Sequence, residues 1–205
     1  PPDGVFFVLT SRPGEHLNWL ADPAICEIVR LEDEATATGA DIRAYFIERN
    51  RAERLGLPRE FMEEAARRSE RNFLFAVLLL NDLRALPQQE RTVERIPNGL
   101  RGWMVKQLEF VIDKWKTDEE LHLPGKARRE VLQCLGLLAT AREPLSLRTL
   151  RQLFGAREVE QMEAILGVAS DFFRARPAGR APDASFVFYH TQFREFILEE
   201  VRDLR

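Results

Sequence analysis

Two side chains in this sequence are placed to engage a phosphate group, and they lie almost a full chain length apart. Arg12 follows the apolar run Val5-Phe6-Phe7-Val8-Leu9, in the segment Thr10-Ser11-Arg12-Pro13-Gly14. In open α/β sheets ligands sit beyond the carboxyl ends of the strands. A guanidinium there offers a planar fork of donors suited to phosphate oxygens. Pro13 biases Arg12 toward an extended backbone, which would hold the side chain at the strand edge. His190 stands where the strand expected from Ser185 to Tyr189 becomes the last helix, on the same face as Phe186 and Phe188. A helix start carries exposed N–H groups and a positive dipole, so a ring N–H beside it could donate to an anion. Each residue also has a plainer reading. Arg12 could end a strand in water or in a salt bridge, and the His190 ring could pack under a hairpin and donate to a carbonyl.

Other constellations are poorer. His16 and His122 lie far apart without ligand spacing, so no metal site is expected. Ser11, His190 and an aspartate could be written as a triad, but Ser11 is in no nucleophile elbow and Pro13 argues against a strand-to-helix turn. The pairs Glu63-Glu64, Glu119-Glu120 and Glu199-Glu200 are adjacent residues, which point apart on a helix. No catalytic residue is expected.

The elements that must position Arg12 and His190 follow from periodicity. Val5 to Leu9 reads as a strand buried on both faces, and Ile25 to Leu31 as a second, more interrupted one. After Glu34 the pattern turns helical. Asp41 is a candidate N-cap for a helix lined by Ile42, Tyr45 and Phe46, and Pro58 precedes another with Met62, Ala65 and Ala66. Phe73 to Leu83 is apolar all round and reads as a central buried helix. After a linker opened by Leu86-Pro87-Gln88-Gln89, Leu100, Trp103, Met104, Leu108, Val111, Ile112 and Trp115 give the strongest amphipathic pattern in the chain.

Beyond Leu123-Pro124-Gly125, Val131, Leu132, Leu135 and Leu138 mark a helix. Ser146 caps one that Gly155 stops, and Val159, Met162, Ile165 and Leu166 mark a third. A hairpin from Phe172 to Tyr189 and a final helix burying Phe193, Phe196 and Ile197 complete the chain. Helix, helix, helix, hairpin is the order of a winged-helix domain. Such domains often read DNA through the third helix, but Ala156 to Ser170 carries Arg157 against Glu158, Glu160 and Glu163, which phosphates would repel. Nucleic acid is therefore not expected as a partner, although Arg174, Arg176 and Arg180 in the hairpin could make a minor contact.

Composition fits this picture. The 205 residues allow one large or two small domains, and 45% apolar against 31% charged residues is ordinary for a globular chain. A net charge of -3, with both signs interspersed, gives no footprint for nucleic acid or an anionic membrane. Cys26 and Cys134 alone support no disulfide framework and fit a reducing cytoplasm. The apolar run Phe73 to Leu80 is far short of the roughly 18–20 residues of a membrane span. The N-terminus Pro1-Pro2-Asp3-Gly4 has neither an initiator Met nor a basic signal region, and reads as a cut through a larger protein.

Four segments resemble, in order, the NACHT-type P-loop NTPases of the STAND class. Phe7-Val8-Leu9-Thr10-Ser11-Arg12-Pro13 is similar to that family's sensor strand, whose arginine contacts the terminal phosphate of ATP. Arg71-Asn72-Phe73-Leu74-Phe75-Ala76 resembles its "GNFLYA" segment near the adenine, with Arg71 where glycine is usual. Ile96-Pro97-Asn98-Gly99-Leu100 resembles its "LPxGL" element. Phe188-Tyr189-His190-Thr191-Gln192-Phe193-Arg194-Glu195-Phe196 resembles its winged-helix "FxHxxFxEFL" segment, whose histidine contacts the β-phosphate of ADP.

The resemblance implies a mainly α chain: the remnant of an α/β P-loop NTPase sheet over 1–34, a helical bundle over 35–122 and a winged helix over 123–205. It implies nucleotide contacts from Ser11, Arg12, Pro13, Phe73, Leu74 and His190. It implies the regulatory half of a cytoplasmic signalling switch, in which ADP holds the winged helix closed and ATP exchange permits self-association. The phosphate loop GxxxxGK(S/T) and the acidic magnesium-binding strand are absent from this sequence. The chain alone is therefore expected to hold no cofactor and not to hydrolyse ATP. ADP, ATP and Mg would belong to a parent protein, a slow ATPase, whose N-terminal NTPase half is the expected partner. The rival readings are a helical and winged-helix protein-interaction module without a nucleotide, and a winged-helix nucleic-acid binder.

Overall fold

The computed structural model describes residues 35–115, 125–176 and 185–204. Ser11, Arg12 and Pro13, and both strands expected before Glu34, lie outside the described residues. The described chain is mostly helical.

Helix α1 (Ala35–Glu53) starts upstream of the expected cap, and Asp41 is an exposed residue within it. Its inner face buries Ile42 and Phe46. Asn50 closes the following turn twice: its Nδ2 donates to the Leu57 carbonyl at 2.9 Å and its Oδ1 accepts from the Leu57 N–H at 2.9 Å. Pro58 then takes the N-cap position of α2 (Arg59–Arg68), where its fixed φ and missing N–H cost nothing.

Helix α3 (Phe73–Ala85) is capped by Asn72, whose side chain accepts from the Phe75 N–H. It buries Phe75, Ala76, Leu78, Leu79, Leu80 and Leu83, but Phe73 in its first turn is 41% exposed. The linker contains two single turns of 3-10 helix, Gln88–Glu90 and Val93–Arg95. Helix α4 (Gly99–Trp115) follows and buries Leu100, Trp103, Met104, Leu108, Val111 and Ile112 at helical spacing.

The C-terminal part runs α5 (Lys126–Thr140), β1 (Leu145–Ser146), α6 (Leu147–Leu153), α7 (Ala156–Val168), β2 (Phe173–Arg176), β3 (Ser185–Phe188) and α8 (Thr191–Arg202). Ser146 caps α6, accepting from the Thr149 N–H. Gly155, read as a helix stop, is also the N-cap of α7. The strands form an antiparallel sheet in the order β1-β3-β2, with Leu145 opposite Phe186 and Phe173 opposite Phe188. Strand β1 is an addition to the hairpin read from the sequence.

One buried cluster runs from Ile42 in α1 to Ile197 in α8 without a break. Helix α4 joins its two ends. Trp103, 1% exposed, stacks on Phe193 of α8 at 5.7 Å and reaches Phe172 at 6.4 Å, while its Nε1–H donates to Asp82 of α3 at 2.7 Å.

Candidate functional site

His190 is the N-cap of α8. The Tyr189 N–H donates to the Phe172 carbonyl at 2.8 Å, and the His190 carbonyl accepts the Phe193 N–H at 3.1 Å, so the chain passes from sheet to helix at this residue. Its backbone is extended, and its Nδ1 accepts the Gln192 N–H at 3.2 Å. A ring that accepts at Nδ1 carries its proton on Nε2. Among the described residues that Nε2–H has no acceptor. The partly buried imidazole therefore serves the helix end with one nitrogen and keeps a donor on the other.

The turn before α3 holds the second candidate segment. Glu70 and Arg71 both have positive φ, +50° and +64°, a region that favours glycine. Glycine in place of Arg71 would thus relieve local backbone strain, whatever lies nearby. Phe73 packs its ring against Tyr45 at 5.3 Å, and Leu74 rests against the core. Gly99, at the start of α4, also has positive φ (+67°), and a Cβ there would fall 2.9 Å from Glu70 Oε2. The turn and the helix start are packed directly together.

These segments and α8 share a cavity of about 260 Å³. Glu70 and Asn72 line it from the turn, Leu100, Arg101 and Met104 from α4, and Gln192, Glu195, Phe196 and Glu199 from α8. The structure thus brings the segments carrying Phe73 and His190 to one cleft, although neither of those side chains lines it. Arg101 lies over the Phe196 ring at 5.7 Å and pairs with Glu199 at 2.6 Å, which raises the pKa of its guanidinium further. Three carboxylates face one engaged guanidinium, so this cavity is no phosphate cradle. An anion would instead meet the His190 Nε2–H at the start of α8.

Sequence reasoning missed three participants. Asp82 is half-buried in α3, and burial pushes its carboxyl above the usual range against the pull of the Trp103 hydrogen bond. A lone acid inside an apolar helix was the available signal, since such a group must find a donor. Arg101 and Glu199 meet across most of the described chain, and no local pattern announces that pairing.

Among the described residues, no group of three His, Cys, Asp or Glu could hold a metal ion, and no helix is long and apolar enough to cross a membrane. Comparison with family models, with curated proteins and with solved structures finds no match to this chain.

Proposed function

We propose that this chain is the regulatory half of a nucleotide-dependent signalling switch of the STAND/NACHT type, with a helical bundle followed by a winged helix. The reading rests chiefly on His190, a helix N-cap whose ring keeps an N–H donor at the start of α8. Two further observations support it. The order helix, strand, helix, helix, hairpin with sheet order β1-β3-β2 is what a winged helix requires. Arg71, where the resembling family has glycine, adopts a backbone that glycine prefers.

In the proposed mechanism the His190 Nε2–H donates to the β-phosphate of ADP held by the NTPase half, tethering the C-terminal helices. With ATP, Arg12 engages the terminal phosphate and the tether is released, permitting self-association. Such a switch works only through differential contacts to the two nucleotides. The chain supplies contacts rather than chemistry, and hydrolysis, nucleotide and Mg belong to the parent protein in the cytoplasm. Exposed Glu158 and Glu160 on α7 disfavour nucleic acid as the ligand.

The test uses the parent protein with its NTPase half. His190→Ala should release ADP about tenfold faster, the loss of one charge-assisted hydrogen bond, and should assemble spontaneously in light scattering. His190→Asn separates the roles. Asparagine caps a helix well, so thermal stability should stay near wild type while ADP is still lost. A His190→Asn protein that retains ADP and stays monomeric sinks the reading. One observation favours the rival protein-interaction module: the shared cavity is acidic. Failure of the parent protein to bind any nucleotide would decide for it.

A further inference from the structure

A second cavity, about 350 Å³, opens between α2, α3, α4 and the turn from Arg95 to Pro97. Its volume lies at the lower end of the range for small-molecule sites, roughly 300–1,000 Å³. Phe61, Leu83, Ile96 and Trp103 form much of its wall. All four are core residues almost entirely withdrawn from water, so the wall is rigid as well as apolar.

One carboxylate is set into this wall. Asp82 Oδ2 accepts the Trp103 Nε1–H at 2.7 Å and a longer bond from Gln107 Nε2 at 3.5 Å. Its other oxygen accepts no hydrogen bond from the described residues. Among them no side-chain oxygen is both sealed from solvent and unpartnered, so Oδ1 keeps contact with solvent.

Asp82 has no directly paired cation among the described residues, although the Lys106 charge pulls its carboxyl down from a distance. Lys106 Nζ donates to the Arg95 carbonyl at 2.9 Å, and the Arg95 guanidinium pairs with Glu90 at 2.9 Å. Both line the cavity, yet neither reaches ion-pair distance of Asp82. Burial raises the Asp82 carboxyl, the Trp103 hydrogen bond opposes it, and Asp171, from the turn after α7, adds a second negative charge against the weaker pull of Lys106 and Gln107. A half-buried carboxylate without a directly paired cation is costly, and an ammonium group would relieve that cost.

We propose that this cleft binds a small amphiphilic primary amine, its ammonium on Asp82 Oδ1 and its single aromatic ring or short alkyl body against Trp103, Phe61 and Ile96. The site is independent of the nucleotide reading. The wall is apolar apart from Asp82, Arg95, Lys106 and Gln107.

The experiment titrates the purified chain with 2-phenylethylamine, and separately with 2-phenylethanol, which has the same body without the charge. The Trp103 Nε1–H resonance reports on the site directly. The amine should shift that resonance and bind at least about tenfold more tightly than the alcohol. Asp82→Asn, which keeps an oxygen for Trp103, should abolish that preference. Equal affinity for amine and alcohol, or an unmoved indole resonance, overturns the proposal using wild-type protein alone.

Discussion

Arg71 shows how a single residue can oppose its own backbone. At φ +64° an L side chain crowds the following carbonyl, a cost of roughly 1–2 kcal/mol that glycine avoids. Glycine also loses more chain entropy on folding, about 0.5–1 kcal/mol, which offsets part of the gain. The Arg71 side chain is exposed and makes no ion pair among the described residues, so little else is lost. Arg71→Gly should therefore stabilise the chain by about 0.5–1 kcal/mol, read as a higher urea midpoint at unchanged slope. Arg71→Ala keeps the Cβ and should gain nothing. A destabilised glycine variant would mean that the arginine holds the turn through its side chain.

Among the elements, α6 depends most on its ends. With seven residues it has few internal hydrogen bonds, and Ser146 supplies its N-cap with Oγ 3.1 Å from the Thr149 N–H. The same residue ends β1 opposite Ser185, so one side chain fixes where strand gives way to helix. Ser146→Ala should cost about 1 kcal/mol and speed hydrogen exchange at the Thr149 amide, and Ser146→Asp should restore both. Unchanged exchange in the alanine variant would show that the cap is not what orders α6. That cap was legible because serine stood just before an apolar period. Strand β1 was not, because two residues carry no period and their partner, Phe186, comes about forty residues later in the chain. The change from strand to helical pattern likewise made His190 legible as a helix start, whereas its Nδ1 bond to Gln192 needed coordinates. The apolar run from Phe73 gave α3 its burial but not the exposure of Phe73 itself, since composition alone does not say which side chains of a helix the neighbours cover.

At the scale of the whole molecule, Trp103 decides whether the described chain is one folding unit or two. Its indole edge is bonded to α3 through Asp82, its ring stacks on Phe193 of α8, and Phe172 meets Phe193 edge-on at 5.7 Å. Outside this contact, Arg101 with Glu199 and Arg128 with Glu200 tie α4 and α5 to α8. Those outer pairs are partly exposed and contribute little each, typically 0–1 kcal/mol. The apolar contact must carry most of the coupling. Truncating a buried tryptophan costs about 3–5 kcal/mol, a large share of the roughly 5–15 kcal/mol that holds a domain together. Cys134 provides a local reporter, buried on α5 with its thiol pushed up to about 12 by desolvation, hence unreactive while folded. In a Cys26→Ser background, Cys134 labelling and the far-UV helical signal should share one urea midpoint, and Trp103→Ala should lower both together. If Cys134 instead becomes reactive while most helical signal persists, α5 to α8 unfold on their own and the continuous core does not confer cooperativity. A shared midpoint would mean that any release of the C-terminal helices must first break the Trp103 stack, so ligands that favour release would have to offset that contact.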